Sequence, residues 1–195
     1  NANKKKYNIK SVSRPHEAHF AYSIYFKEPG GNDLEIEYYN PNAADHGRRI
    51  AAQHWSAPLT EERFPGKGYV PQAMTHGTLQ CAEKAVSDPF YQDVLGLDIV
   101  GGGRMSTYIR HSSSGPWYIV VLPMKNRELL SPASRFTLKL STAAAVEESH
   151  RQFTASGLDI GITEVGDLES NNGAVSFMFS DLDRNWWEFT ASSGS

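Results

Sequence analysis

The chain has 195 residues, enough for one large or two small domains, with an ordinary globular composition of which 39% is hydrophobic. Its formal net charge of -3 argues against a nucleic-acid partner, and its one basic run, Lys4 to Lys6, reads as a solvated terminus. No apolar run reaches membrane-spanning length, no segment suits a signal peptide, and the single cysteine, Cys81, cannot close an internal disulfide, so a reducing, cytoplasmic setting without a membrane partner is expected.

From the N-terminus, "KYNIKSV", "HFAYSIYF" and "DLEIEYY" read as strands. A long polar linker follows, Asn40 to Gln72, of a length that is often functional or wraps another domain. "HGTLQC", His76 to Cys81, reads as a strand. Ser87 or Asp88 then caps a helix that has Pro89 at its first position, an apolar stripe of Phe90, Tyr91, Val94 and Leu95, and Gly96 at its end. "RMSTYIR" and "WYIVVL" read as strands joined by the turn "HSSSGP", and Gly101 to Gly103 as a bend or bulge. Phe136, Leu138 and Leu140 alternate as a half-buried strand. Residues Ala143 to Ala155 read as a helix ended by Gly157, and "AVSFMF" and "WWEFT" as strands joined by "SDLDRN".

Two internal repeats organise these elements. His76 to Ile99 and Arg135 to Ile160 each run strand, helix, and a literal Gly-Leu-Asp-Ile. "FKEPGGNDLEI" (Phe26 to Ile36) and "FSDLDRNWWEF" (Phe179 to Phe189) match at the Phe, an acidic residue, the Asn and the Glu. The expected organisation is a partial βαβββ unit over 1–40, lacking its first strand and helix, a linker over 41–73, and complete units over 74–130 and 131–195.

A tandem βαβββ unit whose last hairpin closes on acidic-x-x-x-Asn-x-x-Glu resembles the vicinal oxygen chelate superfamily of glyoxalases, bleomycin-resistance proteins and extradiol dioxygenases. "EPGGNDLE", "DLDRNWWE" and "FYQDVLGLDIV" carry the resemblance. It implies an α+β fold of tandem βαβββ units, with curled mixed sheets around a cavity and helices outside. The order of units is most similar to the C-terminal part of a type I extradiol dioxygenase. That implies a metal-dependent enzyme acting on a small aromatic, catechol-type compound, with Fe(II) or another divalent ion (Mn, Zn or Ni) as cofactor.

By this resemblance His76 and Glu188 are the metal ligands. The position of the middle ligand is occupied by Arg135, which is permanently cationic; it is expected to pair with Glu188 or to orient an anionic substrate. The acid-base Tyr of the dioxygenases, ten residues before the metal Glu, is replaced by Met178. His111, at a hairpin turn, is a candidate acid-base residue beside Arg135. Trp186, Met178 and Thr78 are candidate substrate contacts, because alternation puts Trp186 on the face of Glu188 and Thr78 on that of His76. His76, Arg135, Met178 and Glu188 are expected to line one cavity between the two complete units.

Other readings stand beside this one. A metal-free binding protein of the same fold would clamp its ligand between Arg135 and Glu188, with Trp186 stacking on it. A glyoxalase-type lyase or isomerase would use Glu35 with His76 instead. Glu35 also reads as a solvated residue of an acidic run, Cys81 as a small core residue, and His46 and His54 as linker residues. The open sheet edge of the partial unit implies a homo-oligomer, or association with a missing N-terminal segment.

Overall fold

The computed structural model describes residues 9, 11–13, 16–18, 21–39, 74–114 and 117–193. The chain forms two compact units, Asn1–Thr75 and His76–Ser195. The expected linker over 41–73, with His46 and His54, lies outside the described residues.

In the first unit the strands are β1 (Ser11–Val12), β2 (His16–Ala18), β3 (Ala21–Lys27) and β4 (Asp33–Tyr39). All three neighbours of β3 run antiparallel to it. The run expected as one strand, "KYNIKSV", forms only Ser11–Val12 among its described residues, and a second short strand follows at His16–Ala18.

The second unit holds two βαβββ modules. Its first module is β5 (His76–Cys81), α1 (Lys84–Pro89), β6 (Asp98–Gly103), β7 (Ser106–Arg110) and β8 (Tyr118–Pro123), with sheet order β5-β8-β7-β6. The second is β9 (Arg135–Lys139), α2 (Ala143–Ser156), a next strand split into β10 (Glu164–Val165) and β11 (Glu169–Asn171), which both pair with β12 (Ala174–Ser180), and β13 (Trp186–Ser192). In each module the first strand lies parallel to the last, as β5 to β8 and β9 to β13. The fold is α+β with helices against mixed sheets, as the repeat pattern implies.

Two local expectations need correction. Helix α1 starts at Lys84 rather than after Ser87, and Ser87 is buried inside it, donating to Glu83 O at 3.1 Å. Pro89 is therefore not its first residue. It lacks an N–H and crowds the preceding turn, and from Phe90 to Val94 the helix widens into a π turn. The two Gly-Leu-Asp-Ile copies also diverge. Gly96 takes φ 66° and ends its helix, and Asp98 enters strand β6. Gly157 stays right-handed and opens a 3-10 turn, Gly157–Ile160, which ends at Gly161 with φ 89°.

The bulge expected at Gly101 to Gly103 falls just ahead of them: the register shifts between Ile99 and Gly101, and the three glycines pair regularly with Tyr108, Thr107 and Ser106. Helix α2 is capped by Thr142, whose side-chain oxygen accepts from Ala145 N at 3.1 Å.

One hydrophobic core serves both modules of the second unit. Leu79, Cys81, Ile109, Ile119 and Val121 of the first sheet join Val175, Phe177, Phe179, Trp187 and Phe189 of the second. Phe136 bridges them, its ring 5.6 Å from that of Trp117 and 5.8 Å from that of Trp187. The complete modules are thus one compact body rather than separate domains.

Candidate functional site

Strand alternation fixes which face each candidate residue occupies. In β5, Leu79 and Cys81 point into the shared core, so His76, Thr78 and Gln80 lie on the opposite face. In β13, Trp187 and Phe189 enter the core, and Trp186, Glu188 and Thr190 lie on the opposite face. Both candidate ligand faces are therefore turned away from the core that joins the modules. Among the described residues Glu188 belongs to no group of three or more His, Cys, Asp or Glu side chains close enough to share an ion.

Each predicted residue has a definite place. His76 is half-buried at the head of β5, its ring stacked on Tyr118 at 5.3 Å and 16°. Thr78 is exposed on the same strand. Met178 is half-buried directly across from Glu188. Trp186 is half-buried directly across from Arg135. His111 is exposed at the end of β7, and its Nδ1 accepts from Ser113 N at 3.2 Å and lies 2.6 Å from Ser113 Oγ. That geometry serves the turn.

Arg135 and Glu188 meet. The Arg135 Nε donates to Glu188 Oε2 at 3.0 Å, and Thr137 Oγ1 donates to the same oxygen at 2.9 Å. Burial pushes the Glu188 carboxyl up, but the hydrogen bonds from Arg135 and Thr137 and the Arg135 charge outweigh it, leaving it below the ordinary Glu range. A carboxylate already neutralised by a guanidinium is a poor metal ligand, and Arg135 donates no electron pair. The donor set at Glu188 does not fit a divalent ion.

The turn before Glu188 is held by a different acid. Asp181 Oδ1 accepts from Asp183 N at 2.8 Å and Asn185 N at 2.9 Å, and Oδ2 accepts from Trp187 Nε1 at 3.0 Å. Asp181 is fully buried, and burial pushes its carboxyl above the ordinary Asp range against these donors. Asp183 ties the turn to the other module, accepting from Ala82 N at 2.7 Å and pairing with Arg127 at 2.7 Å. The acidic residues of "SDLDRN" are structural.

The first unit repeats this hairpin. Glu28 Oε2 accepts from Gly30 N at 2.7 Å and Oε1 from Asn32 N at 2.7 Å, and these bonds hold its carboxyl below the ordinary range. Beyond the turn, Glu35 and Glu37 share one face of β4, both half-buried, and Tyr25 lies directly across from Glu35. Burial, a hydrogen bond to Glu35 and the charges of Glu35 and Glu37 push the Tyr25 hydroxyl well above the ordinary tyrosine range. Thr75 Oγ1 donates to Glu37 Oε2 at 3.2 Å. Tyr25 was missed as a candidate. Its signal was available, because Tyr25 stands ten residues before Glu35, the spacing sought in vain at Met178.

No protein-family model and no curated protein matches this sequence. Solved structures do match. The fosfomycin resistance protein FosX from Listeria monocytogenes aligns with a TM-score of 0.51 at 13% identity, over 64% of this chain and 94% of that one. A putative glyoxalase family protein from Bacillus anthracis aligns at 0.48 and 16%, over 65% and 99%. Lactoylglutathione lyase from Agrobacterium tumefaciens aligns at 0.44 and 20%, over 62% and 94%. A FosX structure complexed with Mn(II) and sulfate aligns at 0.49 and 14%, over 64% and 93%. At these identities the likeness is one of fold. Together with the paired βαβββ modules, it gives this chain the fold of the vicinal oxygen chelate superfamily.

Proposed function

We propose that the chain is a metal-dependent enzyme of the vicinal oxygen chelate type, acting on a small aromatic or vicinally oxygenated compound. Ring cleavage of a catechol-type substrate is the reaction favoured by its sequence pattern. The observation that carries this reading is the cross-strand pair of Tyr25 and Glu35, with Glu37 on the same face. We assign the metal carboxylate to Glu35 rather than to Glu188.

The donor chemistry of the first unit fits a hard or borderline divalent ion. Two half-buried carboxylates on one strand face repel each other, and a divalent cation relieves that repulsion. When bound, Fe(II) or Mn(II) would supply Lewis acidity to a chelating pair of substrate oxygens. Tyr25 stays protonated across the neutral range, so its O–H is held as a donor toward an anionic oxygen on that face.

The test is metal content by elemental mass spectrometry after loading with Mn(II) or Fe(II) and desalting. Wild type and Glu188→Gln are expected to retain metal, and Glu35→Gln to lose it. Retention by Glu35→Gln, or none in the wild type, overturns the assignment.

A further inference from the structure

The outward face of the second module carries an arrangement that metal chemistry does not use. Arg135, Thr137 and Lys139 of β9 lie exposed, beside half-buried Trp186, Glu188 and Thr190 of β13. The Arg135 guanidinium is fixed from two sides. Its Nε donates to Glu188 Oε2 at 3.0 Å, and its Nη1 donates to Pro132 O at 3.3 Å. The Nη2 makes no hydrogen bond among the described residues, so a fixed cationic donor remains available on an open face. Trp186 stands directly across the strands, at the register position opposite Arg135 and on the same face.

We propose that this face is a metal-free binding site for a small aromatic carboxylate, with Arg135 taking the carboxylate and Trp186 stacking on the ring. Glu188 acts here as a positioning residue, holding the guanidinium plane.

Charge and shape select this ligand class. Arg135, Lys139 and Glu188 leave the face with one net positive charge, which suits a monoanion. A phosphate dianion would meet the Glu188 carboxylate with too little compensation. A guanidinium favours planar carboxylates, and an indole face favours a flat ring or a cation. The cation is excluded as the main ligand by the adjacent Arg135 and Lys139.

The experiment is a titration of the whole chain with benzoate in EDTA, followed by calorimetry and by the Trp186 indole N–H resonance. Saturable binding is expected, with benzamide failing to compete and cyclohexanecarboxylate binding more weakly. Arg135→Met is expected to weaken benzoate binding by about tenfold. Trp186→Leu should weaken it by roughly threefold or more. His76→Ala should leave it unchanged.

Should Arg135→Met unfold, Arg135→Lys keeps the charge without the fork and is expected to bind more weakly than wild type, with wild-type affinity in folded Arg135→Lys counting against the proposal. Absence of saturation, equal binding of benzamide, or wild-type affinity in folded Arg135→Met overturns the proposal. Because EDTA is present throughout, failure here leaves the metal assignment at Glu35 standing, and failure of that assignment leaves this site standing.

Discussion

Glu28 and Asp181 hold turns of the same shape at equivalent positions of two hairpins. Each carboxylate accepts from the backbone N–H two and four residues ahead, and each residue's own N–H donates to the carbonyl of the Asn four residues on, at 3.0 Å in both copies. The copies differ in burial. Asp181 is sealed and also accepts from Trp187, whereas Glu28 has its carboxylate in solvent. Asp181→Ala leaves two backbone N–H groups and the indole N–H without that acceptor, and a loss of about 3 kcal/mol or more is expected in urea denaturation. Glu28→Ala, whose orphaned donors reach water, should shift the midpoint far less. Equal shifts would contradict this account.

The correspondence extends well beyond the turn. β1 pairs with β3 through Ser11 and Lys27 as β10 pairs with β12 through Glu164 and Ser180. β2 pairs with β3 through His16 and Ser23 as β11 pairs with β12 through Glu169 and Ser176. Ile36 of β4 therefore corresponds to Phe189 of β13. Phe189 is 6% exposed, packed by Phe153 of α2 with ring centroids at 5.6 Å, whereas Ile36 is 46% exposed. Phe189→Ala is expected to cost about 3–5 kcal/mol. Ile36→Ala should cost roughly 1 kcal/mol or less, because its side chain has given up only part of its contact with water. Comparable losses at both positions would show that something covers Ile36 in solution.

The Asp183 contacts make a third case. Its carboxylate is 2% exposed and accepts from Ala82 N, Ser87 Oγ and Arg127, so one side chain joins the two modules of the second unit. Arg127→Met removes the cation and leaves a buried charge. A loss of about 2–4 kcal/mol is expected, below the full cost of a sealed pair because Arg127 is itself partly exposed. Asp183→Asn combined with Arg127→Met should recover part of that loss. A double-variant cycle without recovery would argue that Arg127 acts through packing alone.

Much of this fold was legible in the sequence because period and punctuation are local properties. The strands His76–Cys81 and Asp33–Tyr39 and the helix Ala143–Ser156 follow from alternation, apolar spacing and caps. Gly-Leu-Asp-Ile was misleading for a physical reason: the tetrapeptide does not encode its own conformation. Leu97 is buried and leads into a strand, whereas Leu158 is 81% exposed on a 3-10 turn. The shared core was not legible either. Alternation shows that Glu188 and Trp187 face opposite ways, but not that the Trp187 face meets the other module. Tyr25 was legible as well, because it stands ten residues before Glu35 as Met178 stands before Glu188.

Glu188 offers a test of the ion pair that needs no ligand. Its carboxyl is depressed in the folded state, so the stability it contributes is present above the ordinary Glu pKa and is lost as pH falls through the folded value. The sign follows from the donors: Arg135 and Thr137 bind the charged form, and protonation removes their acceptor. The Glu188 carboxyl carbon, followed by NMR, should titrate below the ordinary Glu range in wild type. In Arg135→Met the favourable charge and one donor are lost while burial remains, so its titration should move upward. In Thr137→Val the upward move should be smaller, because only a neutral donor is lost. If all three proteins titrate alike, the Arg135–Glu188 pair is not maintained in solution, and the guanidinium is not fixed as the proposed carboxylate site requires.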